Sequence, residues 1–279
     1  MERIKRLSLG YSPCPNDTFI FYALTHGKVA APGIEVAEEL EDVETLNKKA
    51  LAAELDLTKV SFHAFAHLRE NYCMLKSGGA LGRGCGPLVV SKKYSGMDGL
   101  RGRKIAIPGR YTTAHLLLTL YGSGFDDVAI MQFDRIMPSV AAGEVDAGLI
   151  IHEGRFTFQK YGLKKLLDLG EWWEGETGLP IPLGCILAKR SLGAETVSAV
   201  ERAIRESIQY AYANGGEAKS YIKCHAQEME DSVVERHIGL YVNDFSLDLG
   251  EEGIKAVETL FGRAASAGVI PVSDKPLFL

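Results

Sequence analysis

The sequence predicts an α/β protein of two lobes with a central cleft and a two-stranded hinge. Three observations carry this prediction. Strand and helix signals alternate through the first three-quarters of the chain. Two extended runs, at 87–91 and 182–187, bracket a complete α/β unit, as they would if the chain crossed to a second lobe and came back. A length of 279 residues is also generous for one compact core. The implied boundaries are 1–90 with 187–279 for a discontinuous large lobe, and 91–186 for a small one.

The elements follow in order. The apolar run 7–11 is a strand. Ser12, Pro13, Cys14, Pro15, Asn16 and Asp17 come next, and two prolines around a cysteine cannot sit inside a helix or a central strand, so this loop is stiff. Asn16 or Asp17 can cap the helix expected over 18–26, which is apolar nearly all round and ends at Gly27. A strand at 34–36 precedes a helix capped by Asp42 that runs through Ala53. Residues 58–62 lead into a helical turn, and 72–75 form a strand. In the middle unit, strands are expected at 104–107, 128–133 and 145–151, with helices at 112–121 and 138–142, the last stopped by Gly143. The final quarter shows three helices and no strand. Val197, Val200, Ile204, Ile208 and Ala211 mark one helix face, Ser232 and Glu235 make a capping box for the second, and Ile254, Val257, Phe261 and Ala264 line the third.

Composition narrows the functional classes. With 46% hydrophobic and 24% charged residues the chain can bury an ordinary core without disulfides or metal. A net charge of −5 and no dense Lys/Arg run argue against nucleic acid as a partner. Cys14, Cys73, Cys85, Cys185 and Cys224 are scattered, with no CxxC pair, and read as free thiols of a reducing cytoplasm. Arg3, Lys5 and Arg6 resemble the start of a signal peptide, but the apolar run after them is short and meets Pro13 and Pro15. No stretch is long enough to cross a membrane. The expectation is a soluble cytoplasmic protein of open oligomeric state.

Several residues are candidates for chemistry. Thr112 and Thr113 follow a strand and open a helix, where backbone N–H groups and two hydroxyls suit a carboxylate or phosphate; the bland alternative is that Thr112 only caps the helix. His152 closes the apolar run 148–151, and a histidine at the end of a buried parallel strand points into the cleft of an α/β fold. Its ordinary pKa near neutrality suits a proton acceptor, against the alternative of a structural histidine. Glu153 would point the opposite way if the strand continued. His63 and His67, four apart, could share a helix face as metal ligands, but no third ligand follows, so no metal is expected. The glycines from Gly78 to Gly86 lack a P-loop ending and fit close backbone packing at the cleft floor or a hinge. Cys14 has no identifiable partner base and is expected to be buried, and Trp172 and Trp173 to pack.

The phrases 100–106 and 143–148 resemble the second lobe of the type II periplasmic-binding-protein fold. A more specific resemblance runs through almost the whole chain. Residues 12–19, 41–47, 77–90, 108–114, 148–153, 178–184 and 241–243 are similar, in order, to the 1,4-dihydroxy-6-naphthoate synthase family of the futalosine route to menaquinone. The resemblance implies conversion of cyclic dehypoxanthinyl futalosine to 1,4-dihydroxy-6-naphthoate and dihydroxyacetone, with neither metal nor organic cofactor. It implies His152 as general base, and Lys59, Val60, Ser61, Thr112 and Thr113 at the site of an aromatic carboxylate substrate. No family role passes to His63. Two rival readings remain: a non-enzymatic carboxylate receptor of the same fold, and the sibling chorismate dehydratase.

Overall fold

The computed structural model describes residues 4–226 and 230–279, so Arg3 lies outside the described residues. Along the chain, β1 (Lys5–Tyr11), α1 (Pro15–Thr25), β2 (Ile34–Leu40), α2 (Val43–Leu51), β3 (Leu57–Ser61), α3 (Phe62–Ala66), β4 (Tyr72–Met74) and β5 (Ala80–Gly82) come first. They are followed by β6 (Leu88–Ser91), β7 (Ile105–Ile107), α4 (Thr113–Tyr121), β8 (Val128–Ile130), α5 (Phe133–Ala142), β9 (Ala147–Ile150), α6 (Gly154–Thr157), β10 (Lys164–Asp168) and α7 (Leu169–Thr177). β11 (Ile181–Lys189) then precedes five helices, α8 (Ala194–Ala213), α9 (Lys219–His225), α10 (Asp231–Tyr241), α11 (Asp244–Leu247) and α12 (Gly250–Ser266).

Two mixed sheets organise these elements. The first has the order β2-β1-β3-β11-β4, with β5 also paired to β11; the second has the order β10-β6-β9-β7-β8. In the first, β1 runs parallel to β2 and β3, and β11 antiparallel to β3, β4 and β5. In the second, β7 is parallel to β8 and β9 while β6 is antiparallel to its neighbours. The register of β11 sets Gly184 opposite Ser61 and Ile186 opposite Lys59, so the returning strand forms the floor beside the middle of β3. β6 belongs to the second sheet and β11 to the first. Both crossings therefore come a few residues before the expected boundaries of 90/91 and 186/187.

The core follows the sequence pattern. α1 is buried from Pro15 to Leu24, clasped by α8, α9 and α10, which explains why no polar face shows in its sequence. One apolar cluster joins both sheets through residues such as Val60, Leu81, Val89, Leu116 and Leu149. At the floor, Gly86 and Gly170 touch through their backbones: a Cβ on Gly170 would lie 2.8 Å from Gly86 N and Cα. Close packing between the connecting segments thus accounts for the end of the glycine-rich stretch.

Local expectations fail in instructive ways. α1 begins at Pro15 with Cys14 at the N-cap and no side-chain cap, so Asn16 and Asp17 lie within its first turn. Proline at the first helical position needs no acceptor for an N–H, which lets the helix start earlier. The strand expected to reach residue 133 stops at Ile130, and α5 starts at Phe133 with Pro138 inside it. Burial of Ile136, Met137 and Val140 along one face outweighs the bond that Pro138 forfeits. Ser232 makes no cap, because α10 begins two residues earlier than that cap implies, with Glu230 at the N-cap. Among the described residues the last quarter holds five α-helices instead of three, the short α9 and α11 being too brief to leave a periodic signal.

Candidate active site

A cavity of about 90 Å³ lies between the two sheets. From the first sheet, Asn16, Asp17, Lys59, Val60 and Ser61 reach its wall; from the second come Thr112, Thr113 and His152. Every residue singled out for the site in the sequence stands on this one surface.

The corner between β1 and α1 is tied together by Asp17. Its carboxylate accepts hydrogen bonds from Ser12 N (3.2 Å) and Oγ (2.9 Å), from Asn16 Nδ2 (2.8 Å) and from Lys59 Nζ (3.0 Å). Lys59 also donates to Gly78 O at 2.9 Å. The two charged side chains are only 6% and 3% exposed, so the ammonium on β3 is already neutralised by its own fold. Lys59 stiffens the corner more than it offers a free cation.

The tip of α4 is equally engaged. Thr112 caps the helix, its Oγ1 accepting from His115 N and donating to Gly109 O. Thr113 Oγ1 donates to Leu183 O at 2.6 Å and accepts from His63 N. Both hydroxyls are therefore committed, and what the tip presents to an anion is its first-turn N–H groups and dipole. Just before it, Arg110 N and Tyr111 N donate to the Glu44 carboxylate of α2, Arg110 at 2.9 Å. Asn47 continues the link, donating from Nδ2 to Glu44 (3.2 Å) and accepting from Ser61 N (3.0 Å). Glu44 is a bridge between lobes that the sequence reading missed; it resembled an ordinary first-turn acid behind the Asp42 cap.

His152 departs from simple strand geometry. β9 ends at Ile150, and His152 takes φ +56°, a conformation that non-glycine residues rarely adopt and that is found where function over-determines the backbone. Alternation is broken there, so Glu153 does not point away as a continuing strand would have it. Instead a ring nitrogen of His152, the Sγ of Cys14 and a carboxylate oxygen of Glu153 all lie within 4.8 Å of one another. The His152 ring lies edge-on to Phe133 at 5.0 Å and nearly parallel to His237 at 6.2 Å, with no hydrogen bond to it among the described residues. It faces the cavity yet is enclosed by protein at longer range. Burial pushes its pKa down to about 4; Asp17 pulls upward and Lys59 further down. At neutral pH the imidazole is therefore an uncharged proton acceptor, not a group half-titrated near its ordinary value.

His237 on α10 is fully buried behind it, its Nε2 2.9 Å from Asn16 Oδ1 and its ring 4.6 Å from Tyr241. It stands one helical turn before Tyr241, within reach of the 241–243 phrase, and that spacing was the available signal. Cys14 is buried and its thiol is driven well above its ordinary pKa, mainly by burial and then by Glu153, which fits neither a nucleophile nor a ready metal ligand. Cys14, His152 and Glu153 are the one such trio among the described residues close enough to share a cation. His63 and His67 pack against each other and Tyr111 away from it, and burial lowers the His63 pKa to about 4. Trp173 is buried with Nε1 donating to Pro180 O, a packing role.

Two sheets sharing one cavity are the plan of a periplasmic-binding-protein-like fold. An alkanesulfonate-binding protein from Xanthomonas axonopodis matches it with a TM-score of 0.73 at 15% identity, over 98% of this chain and 96% of that one, a likeness of fold alone. A crystal structure of an Archaeoglobus fulgidus protein is 42% identical with a TM-score of 0.90, over 95% and 98% of the two chains. Curated relatives from Thermus thermophilus (54% identical over 276 residues, 99% of this chain and all of the relative) and Streptomyces coelicolor (47% over 271, 95% of each) are named 1,4-dihydroxy-6-naphthoate synthase. Residues 7–266 match the profile described as menaquinone biosynthesis. The chain belongs to that menaquinone biosynthesis family.

Proposed function

We propose that this protein is a carbon–carbon lyase that cleaves cyclic dehypoxanthinyl futalosine to 1,4-dihydroxy-6-naphthoate and dihydroxyacetone, with His152 as general base. The observation that carries the reading is the neutral imidazole of His152, without a hydrogen bond among the described residues, on the same cavity as the N-terminus of α4. The names of the two curated relatives support the naphthoate product, and the substrate is the one the family resemblance implies. The substrate's aromatic carboxylate docks at the positive end of the α4 dipole, at Thr112 and Thr113. Its sugar-derived ring then lies deeper, among Lys59, Val60, Ser61 and His152. Proton removal by His152 opens a retro-aldol-type cleavage, driven by aromatisation of the diol, and the substrate divides into the two products with nothing added.

The experiment is to incubate purified protein with the cyclic substrate and measure dihydroxyacetone and the naphthoate. Turnover is expected in wild type. The His152→Asn variant should lose roughly 10²–10⁴-fold in kcat while binding substrate within about tenfold of wild type. Near-normal turnover by that variant removes His152 as the base. Tight binding without turnover by wild type would make the protein a receptor, and loss of water from chorismate would make it a dehydratase.

A further inference from the structure

We propose that Glu44 and Asn47 are positioning residues: they turn the Ser61 hydroxyl outward as a hydrogen-bond donor to the substrate and hold it in register with the lobe that carries His152. The proposal deepens the reaction proposed above and rests on it. Its geometry begins with the Asn47 amide, whose orientation is fixed from both ends. Oδ1 accepts from the backbone N–H of Ser61 at 3.0 Å, a part that only the amide oxygen can take. Nδ2 donates to Glu44 Oε2 at 3.2 Å, and the Glu44 oxygens accept from Arg110 N and Tyr111 N as well. Nδ2 also lies 3.4 Å from Ser61 Oγ. That contact is long, but its direction decides the matter. The amide brings hydrogens to this side, so Ser61 meets it with a lone pair and its own O–H points elsewhere.

A second observation frees the same hydroxyl. Ser61 is the N-cap residue of α3, where a serine ordinarily accepts from first-turn N–H groups, yet its side chain makes no cap. Its O–H donates to no acceptor among the described residues, and the residue lines the cavity while only 4% exposed. A buried hydroxyl hydrogen without an acceptor costs free energy, and an oxygen of the bound substrate removes that cost.

The other end of the relay is on the second lobe. Arg110 and Tyr111 lie between β7 and α4, just before the Thr112 and Thr113 that reach the cavity. Glu44 therefore grips the segment that sets the helix tip, while Asn47 sets the hydroxyl at the end of β3. Neither residue is on the cavity surface; both act through groups that are. His152 must meet a substrate held between the two lobes, and a misplacement of about 1 Å can cost on the order of 100-fold in rate.

An exchange of side chains separates this role from bridging alone. Glu44→Gln keeps the shape but sets an NH₂ group against either Asn47 Nδ2 or the backbone N–H groups, donor against donor. Its kcat should fall about 10- to 100-fold, and its urea midpoint should fall too. Adding Asn47→Asp restores the match: the new amide donates to the new carboxylate, and the backbone N–H groups of Arg110, Tyr111 and Ser61 keep their acceptors. The oxygen now beside Ser61 Oγ, however, takes the hydroxyl hydrogen away from the substrate. The double variant should regain the wild-type midpoint while kcat stays at least about 10-fold down. Recovery of both overturns the proposal, since bridging alone then explains the relay; a midpoint that stays low overturns the assigned hydrogen-bond directions. Neutron diffraction from deuterated wild type needs neither variant nor substrate. The Ser61 hydroxyl deuteron should point into the cavity, and one bonded to a protein acceptor overturns the proposal. If the deuteron is so placed but wild type cleaves nothing, the proposed reaction fails and the positioning role with it. Normal turnover with that deuteron bonded inside the protein sinks this inference alone.

Discussion

Replacing Gly109 with alanine should weaken the protein through a residue 65 positions away in sequence, Glu44. Gly109 does not sit in the left-handed region, so its backbone accepts a side chain. Space is what it lacks: a Cβ would lie 2.6 Å from Glu44 Cγ and closer still to the carboxyl. The carboxylate must swing out and forfeit its bonds from Arg110 N (2.9 Å), Tyr111 N (3.3 Å) and Asn47 Nδ2 (3.2 Å). Hydrogen bonds to a charged group contribute about 1.5–3 kcal/mol each. Two of these three are long, and water replaces part of what is lost, so a total of about 2–4 kcal/mol is expected. Glu44→Ala should cost about the same. Adding Gly109→Ala to Glu44→Ala should then cost under about 0.5 kcal/mol, because the new methyl enters vacated space. Urea unfolding of the four proteins measures the cycle, and a coupling of about 2–3 kcal/mol is expected. Additive effects would refute the idea that the second lobe's loop is moulded around a carboxylate from the first.

Two further predictions concern charge. Lys59→Met should destabilise by about 3–5 kcal/mol in the same assay, since it strands the buried Asp17 without its cation; a cost below about 1 kcal/mol would mean that Ser12 and Asn16 suffice to hold that carboxylate. Stability should also be flat above about pH 6.5 and fall below it. His63, His152 and His237 are all harder to protonate when folded, so the unfolded chain binds more protons from about pH 6.5 down to 4, and acid favours it. For His63 alone the change from 6.5 to about 4 corresponds to roughly 3 kcal/mol. Urea midpoints at pH 7.5, 6 and 5 check this, and a midpoint unchanged at pH 5 refutes it.

What the sequence made legible was chemistry carried by neighbours along the chain. The prolines at 13 and 15 announced a stiff corner, Asp42 and Thr112 announced helix starts, and the run into His152 announced a strand end at the cleft. What stayed hidden depends on partners far away in sequence. Glu44 reads as a solvated first-turn acid until Gly109–Tyr111 is folded against it. His237 has the look of any histidine on an amphipathic helix until Asn16, 221 residues earlier, accepts its proton. The orientation of Glu153 was misjudged because period-two reasoning assumes a continuing strand, and one residue at φ +56° ends that assumption. Pro138 misled for the opposite reason: a local rule was overruled by burial of a whole helix face.

The buried carboxylates Asp17 and Glu44 show how a ring of donors fixes the part an acid plays. Asp17 is surrounded by donors, one of them an ammonium, and Glu44 by two backbone N–H groups and an amide; both are built to be acceptors. The charge of Lys59 holds Asp17, Asp17 orients the Asn16 amide, and the amide fixes the tautomer of His237. A cation on β3 thereby sets the tautomer of a histidine on α10 without touching it. Lys59→Met should consequently loosen the Asn16 amide and blur the single His237 tautomer, whereas an effect confined to substrate affinity would place Lys59 outside this chain of hydrogen bonds.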